Sequence, residues 1–148
     1  MEASNLSKLF IDSGAFIALI DDHDSQYKKS RSFYKSLTKR TIPLITSLIV
    51  ISETYTWLRY HVSFDSAVRF LGIIERSEKA GFLKIILPDD DMKGKTHAIL
   101  KKYQDQDLSY ADAMSFVILE DMSIDDVFSF DAHFYIVKRT LWPVAKAT

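Results

Sequence analysis

A chain of 148 residues with 47% hydrophobic content fits one domain, 1–148, that encloses its own core. It has no cysteine, which excludes disulfides, thiolate metal sites and thiol nucleophiles and suits a reducing, cytoplasmic setting. A net charge of −1 excludes a bulk nucleic-acid coat, and the one apolar run near the start is cut short by Asp12, so neither a signal peptide nor a membrane anchor is expected.

Lys8–Ile11 reads as a short buried strand that ends in a tight turn at Asp12-Ser13-Gly14, with Ala15–Ile20 helical after it. A polar break, Asp21-Asp22-His23-Asp24, supplies caps for the next helix. That helix, from Gln26 to Arg40, carries Lys28, Lys29, Arg31, Lys35, Lys39 and Arg40 without one acid. It reads equally well as a solvated face or as an electrostatic footprint for a polyanion. Ile42–Thr46 is a second strand, and Thr46 or Ser47 caps a helix to about Tyr60. Another helix starts at Asp65, with Val68, Phe70, Leu71 and Ile74 at helical spacing, and Gly81 stops it.

Phe82–Leu87 is a third strand, ended by Pro88. Asp89-Asp90-Asp91 precedes a helix, Met92–Tyr103, and is read as helix-terminus charge rather than a metal site. Ser109 opens a strongly apolar helix through Met122, and Asp125-Asp126 is a turn. Val127–Phe130 is a fourth strand, followed by a short helical piece and an edge strand at Leu141–Val144, where Pro143 is tolerable. Strands alternating with helices predict an α/β fold with a parallel sheet.

Four acids stand at the punctuation points of this pattern. Asp12 and Asp131 each close a strand-like run, and sites in open parallel sheets form beyond the carboxyl ends of strands. Glu53 lies inside a helix between Ile49 and Trp57, four residues either way, and is expected to face buried surface, where an uncompensated charge costs several kcal/mol. Asp112 follows Ser109-Tyr110-Ala111, so it fits a capping box as well as a site. Asp12 and Asp131 have plain turn roles open to them too. Joint placement favours a common site for a hard divalent cation. No internal counter-charge for such a cluster is identifiable. The histidines, His23, His61, His97 and His133, lack metal-ligand spacing and are assigned to surface or packing roles.

Four blocks in this order resemble the PIN-domain family, most of all the single-domain VapC-type toxin ribonucleases. They are Phe10-Ile11-Asp12-Ser13-Gly14-Ala15-Phe16, Thr46-Ser47 with Ser52-Glu53, Asp107-Leu108-Ser109-Tyr110-Ala111-Asp112-Ala113, and Phe128-Ser129-Phe130-Asp131-Ala132-His133-Phe134. The resemblance runs from about Lys8 to Val144. It implies a three-layer α/β/α sandwich with a mainly parallel central sheet. Asp12, Glu53, Asp112 and Asp131 then fall on the family's acidic catalytic and metal-binding positions. Ser13, Ser109 and Ser129 match supporting hydroxyl positions, and Asp107 an additional acidic one. The implied activity is endoribonuclease cleavage with Mg²⁺ or Mn²⁺, since an all-oxygen donor set suits these ions and disfavours zinc.

On this reading the six basic residues of the second helix hold RNA phosphates. The implied partners are RNA, a small antitoxin protein and a second copy of the chain. A housekeeping RNA-processing nuclease and a noncatalytic RNA- or protein-binding scaffold remain as alternatives. A haloacid-dehalogenase-type phosphatase would need an Asp where Gly14 stands, and a receiver domain a Lys near the place of Asp131.

Overall fold

The computed structural model describes residues 6–143. Five strands, β1 (Leu9–Ile11), β2 (Leu44–Ser47), β3 (Leu83–Ile86), β4 (Asp126–Phe128) and β5 (Thr140–Trp142), form one sheet in the order β3-β2-β1-β4-β5. Every pairing is parallel. Both faces of such a sheet are covered, which is why β1 and β2 are continuous apolar or small-polar runs with every residue buried. The helices are α1 (Ser13–Ile20), α2 (Tyr27–Lys39), α3 (Leu48–His61), α4 (Phe64–Lys79), α5 (Asp90–Lys102) and α6 (Tyr110–Asp121). Right-handed crossovers send α1 to α4 over one face and α5 and α6 over the other. The expected α/β/α sandwich is present. Among the described residues no helix is long and apolar enough to cross a membrane.

Local chemistry explains the element boundaries. Ser47 caps α3 by accepting the Val50 amide, and Thr46 hydroxyl donates across the sheet to the Ile11 carbonyl at 2.9 Å. Gly81 ends α4 at φ +83°, a left-handed conformation that glycine adopts without steric penalty. Asp89 caps α5 through the Met92 amide at 2.8 Å, while Asp90 and Asp91 pair with Lys93 and Lys95. The acidic triplet is therefore a helix terminus, as the sequence suggests.

Two expectations near the C-terminal strands are corrected. β4 spans Asp126–Phe128, so Asp126 belongs to the strand rather than to a turn, and its carboxylate accepts from the Trp142 indole at 2.8 Å. The strand also stops short of Phe130. Ser129 hydroxyl takes the Asp131 amide at 3.0 Å, which turns the chain away from the sheet. Asp131 thus caps a 3-10 helix, Ala132–Val137, instead of closing a strand. The edge strand is Thr140–Trp142, and the expected end at Val144 lies outside the described residues.

The topology has one functional consequence. The chain steps outward from β1 to β2 and β3, then returns to lay β4 on the other side of β1. The carboxyl ends of β1 and β4 therefore flank the point where the winding reverses, the usual crevice of an open parallel sheet. That crevice rests on Phe128, fully buried, with the Phe33 ring of α2 edge-on to it at 5.0 Å. Replacing Phe128 with Ala should lower unfolding free energy by about 3–5 kcal/mol in urea titrations.

Candidate metal centre

Asp12 follows the last residue of the central strand and opens α1 as its N-cap. It is 5% exposed, among the few charged side chains of the core. One carboxylate oxygen, Oδ2, accepts the Ser129 hydroxyl at 3.1 Å. Ser129 in turn accepts the Asp131 amide, so one buried hydroxyl links two of the acids.

Asp112 sits in the first turn of α6 and completes a reciprocal capping box with Ser109. The Asp112 amide donates to Ser109 Oγ at 3.0 Å, and the Ser109 amide donates to Asp112 Oδ2 at 3.1 Å. The same Oδ2 lies 3.5 Å from His133 Nδ1. Capping and clustering are compatible: one side chain does both.

Asp131 reaches the cluster from its turn. Its Oδ1 accepts the His133 amide at 2.9 Å and lies 3.0 Å from His133 Nδ1. Asp112, Asp131 and His133 form a tight group whose potential ligand atoms all lie within 4.8 Å of one another. Asp12 is tied to this group through Ser129 rather than being one of its three members.

Glu53 requires a correction. It is exposed, because α3 buries Val50, Ile51, Thr54 and Leu58 and leaves the Ile49–Glu53–Trp57 stripe on its flank. That stripe lines an open groove of about 440 Å³ with Thr56, Tyr60 and His61. The cost of burying a charge therefore does not apply to Glu53. Its link to the site is local: Ser13 hydroxyl donates to Glu53 Oε1 at 2.6 Å, from the residue next to Asp12. Asp107 is exposed in the loop before α6 and does not enter the tight group.

His133 is what the sequence reading missed. Its assignment to a surface or packing role rests on linear spacing, and no counter-charge for the acids is identifiable along the chain. The usable signal was Asp131-Ala132-His133 at a chain reversal. An Asp there bonds the amide two residues on, and that bond folds the second side chain back toward the carboxylate. Among the described residues no lysine or arginine lies within ion-pair distance of Asp12, Glu53, Asp112 or Asp131; the imidazole alone does. The α2 cations Lys28, Lys29, Arg31, Lys35, Lys39 and Arg40 are all exposed, and Arg31 reaches the Leu19 carbonyl instead.

A family description, PIN domain, matches residues 9–139 of this chain. The chain belongs to the PIN-domain family. A crystal structure of Mycobacterium tuberculosis VapC20, described as a sarcin–ricin loop cleaving toxin, superposes with a TM-score of 0.79 at 19% identity, covering 90% of this chain and 97% of that one. That likeness establishes the shared fold. No match is found among the sequences of curated proteins.

Electrostatics of this PIN centre are set first by burial and then by neighbouring acids. Burial pushes the Asp12 carboxyl up to about 7, and the nearby Asp112 and Asp131 add to the rise, against hydrogen bonds from the Ser13 amide and the Ser129 hydroxyl. Burial also raises Asp112, with Asp131 adding to it, while the Ser109 bonds and His133 pull the other way. The folded value for Asp12 exceeds the ordinary 3.8, so the folded chain binds this proton more tightly than the unfolded one. Asp12 therefore favours folding most below about pH 4, and stability falls as pH rises toward about 7, by roughly 4 kcal/mol in all. Urea titrations in EDTA should show that decline, and Asp12→Asn should flatten it while raising stability at pH 8.

Proposed function

We propose that this PIN domain is a Mg²⁺- or Mn²⁺-dependent endoribonuclease, acting as the toxin of a toxin–antitoxin pair. One observation carries the reading. Asp12 and Asp112 are buried and Asp131 half-buried at the reversal point of the sheet; burial and then neighbouring acids raise the proton affinity of Asp12 and Asp112, and among the described residues no lysine or arginine pairs with any of the three. A structural cluster of this kind is costly, whereas a divalent cation neutralises it. The family match and the VapC20 fold support the nuclease and toxin parts of the reading.

Asp12, Asp112 and Asp131 would hold the ion, and Glu53 would approach it from the Ser13 side. Such an ion, when bound, acidifies a water for in-line attack on a phosphodiester and offsets charge developing at phosphorus. The chain's own work is positioning. Ser129 fixes Asp12 relative to Asp131, Ser109 holds Asp112 at the helix start, and Ser13 holds Glu53. Fixed carboxylates need no reorganisation during reaction. The N-termini of α1 and α6 both begin at this edge and add partial positive charge, which favours phosphate.

Incubation of labelled RNA with Mn²⁺ should give cleavage that EDTA stops. Asp12→Asn and Asp112→Asn should each lower it by at least about 100-fold while the protein stays folded, and Asp89→Asn should leave it unchanged. Full activity in purified Asp12→Asn would overturn the nuclease assignment. Growth arrest on expression, relieved by a co-encoded small protein, tests the toxin role.

The basic face of α2 is the proposed RNA-backbone contact. Neutralising Lys28, Lys35 and Lys39 should weaken RNA binding for all sequences and reduce the dependence of log affinity on log salt by about 2–3. An unchanged slope would show α2 to be a solvated face.

A further inference from the structure

The sequence presents an all-oxygen donor set, but the fold places a nitrogen inside it. His133 Nδ1 stands 3.0 Å from Asp131 Oδ1 and 3.5 Å from Asp112 Oδ2, and the three donors converge within 4.8 Å. Two neighbouring ligands of an octahedral ion with bonds of about 2.1 Å are about 3.0 Å apart, so small side-chain movements would bring these three donors onto one cation. The ring is held for that purpose by its own backbone. The His133 amide donates to Asp131 Oδ1, which pins the carboxylate and leaves Nδ1 facing the acids.

We propose that the cation site contains His133 Nδ1 as a ligand beside Asp112 and Asp131, and therefore prefers Mn²⁺ or Co²⁺ to Mg²⁺. The proposal rests on the metal site of the preceding subsection and deepens it by naming a donor and an ion class. Carboxylates alone suit Mg²⁺ and Mn²⁺ similarly, whereas imidazole binds first-row transition ions much better than Mg²⁺. The neutral ring carries its proton on Nε2 when Nδ1 is a ligand. Without an ion, the same nitrogen serves as a hydrogen-bond donor to Asp131.

The test uses the untagged full chain loaded with one equivalent of Mn²⁺. Pulsed electron paramagnetic resonance should show ¹⁴N modulation from a directly bound imidazole, and His133→Gln should abolish it. Titrations should show Mn²⁺ affinity falling roughly tenfold or more in His133→Gln, with Mg²⁺ affinity changing less than about threefold. Bound Mn²⁺ without ¹⁴N modulation in the wild type would overturn the proposal and leave the carboxylate site standing. So would modulation that persists in folded His133→Gln, or equal losses for both ions. Failure of the wild type to bind Mn²⁺ at all would overturn both this proposal and the metal-dependent nuclease reading. If His133→Gln does not fold, the wild-type spectrum alone decides between ligand and hydrogen-bond donor.

Discussion

A carboxylate buried at the end of the central strand is the constraint around which this structure is organised. Asp12 leaves water almost completely, among the described residues no lysine or arginine pairs with it, and Asp112 and Asp131 raise its proton affinity further. Such a group is tolerated only when hydrogen bonds hold it and a proton or a cation neutralises it. The Ser13 amide and the Ser129 hydroxyl supply those bonds, the second because the chain leaves β4 at that residue. The same hydroxyl then turns the backbone into the 3-10 helix that carries Asp131 and His133. One buried serine thus couples sheet geometry to the composition of the site.

Helix starts carry the rest. Asp12 and Asp131 are N-caps, and Asp112 occupies the first turn of α6 beside its capping serine. At a helix N-terminus an acid is favoured by unpaired amides and by the macrodipole, so the fold lowers the cost of bringing like charges together. This explains why capping and site membership coincide at Asp112 rather than competing. It also bears on Asp89, Asp90 and Asp91, which have equally good capping chemistry: they open the helix that follows the edge strand β3 and have Lys93 and Lys95 as partners.

The half-exposed flank of α3 gives the site an asymmetric border. On one side the carboxylates are fixed by buried bonds, and on the other Glu53 is held only by the Ser13 hydroxyl beside an open groove. A carboxylate in that position can move without disturbing the core. The three buried or half-buried acids cannot, because their bonds are shared with the sheet and the helix caps.

The sequence by itself determined the parallel α/β architecture, the cap at Ser109, a cap at Thr46 or Ser47, and the helix-terminus role of Asp89-Asp90-Asp91. These depend on local propensity and on runs of apolar residues, which read directly along the chain. The PIN resemblance was legible for the same reason, because its motifs are short contiguous blocks. Only the tertiary structure decided how the acids are related. Strand order puts β4 beside β1, a fact about crossovers that no local pattern contains, and it brings Ser129 within reach of Asp12. Tertiary packing also took Glu53 out of the core, since the buried face of α3 is set by what lies beneath it and not by its Ile49 and Trp57 neighbours. His133 was hidden for a related reason: its partners are Asp131, two residues away across a turn, and Asp112, on another helix. Charge crowding among residues so distant in sequence arises only when the chain has folded.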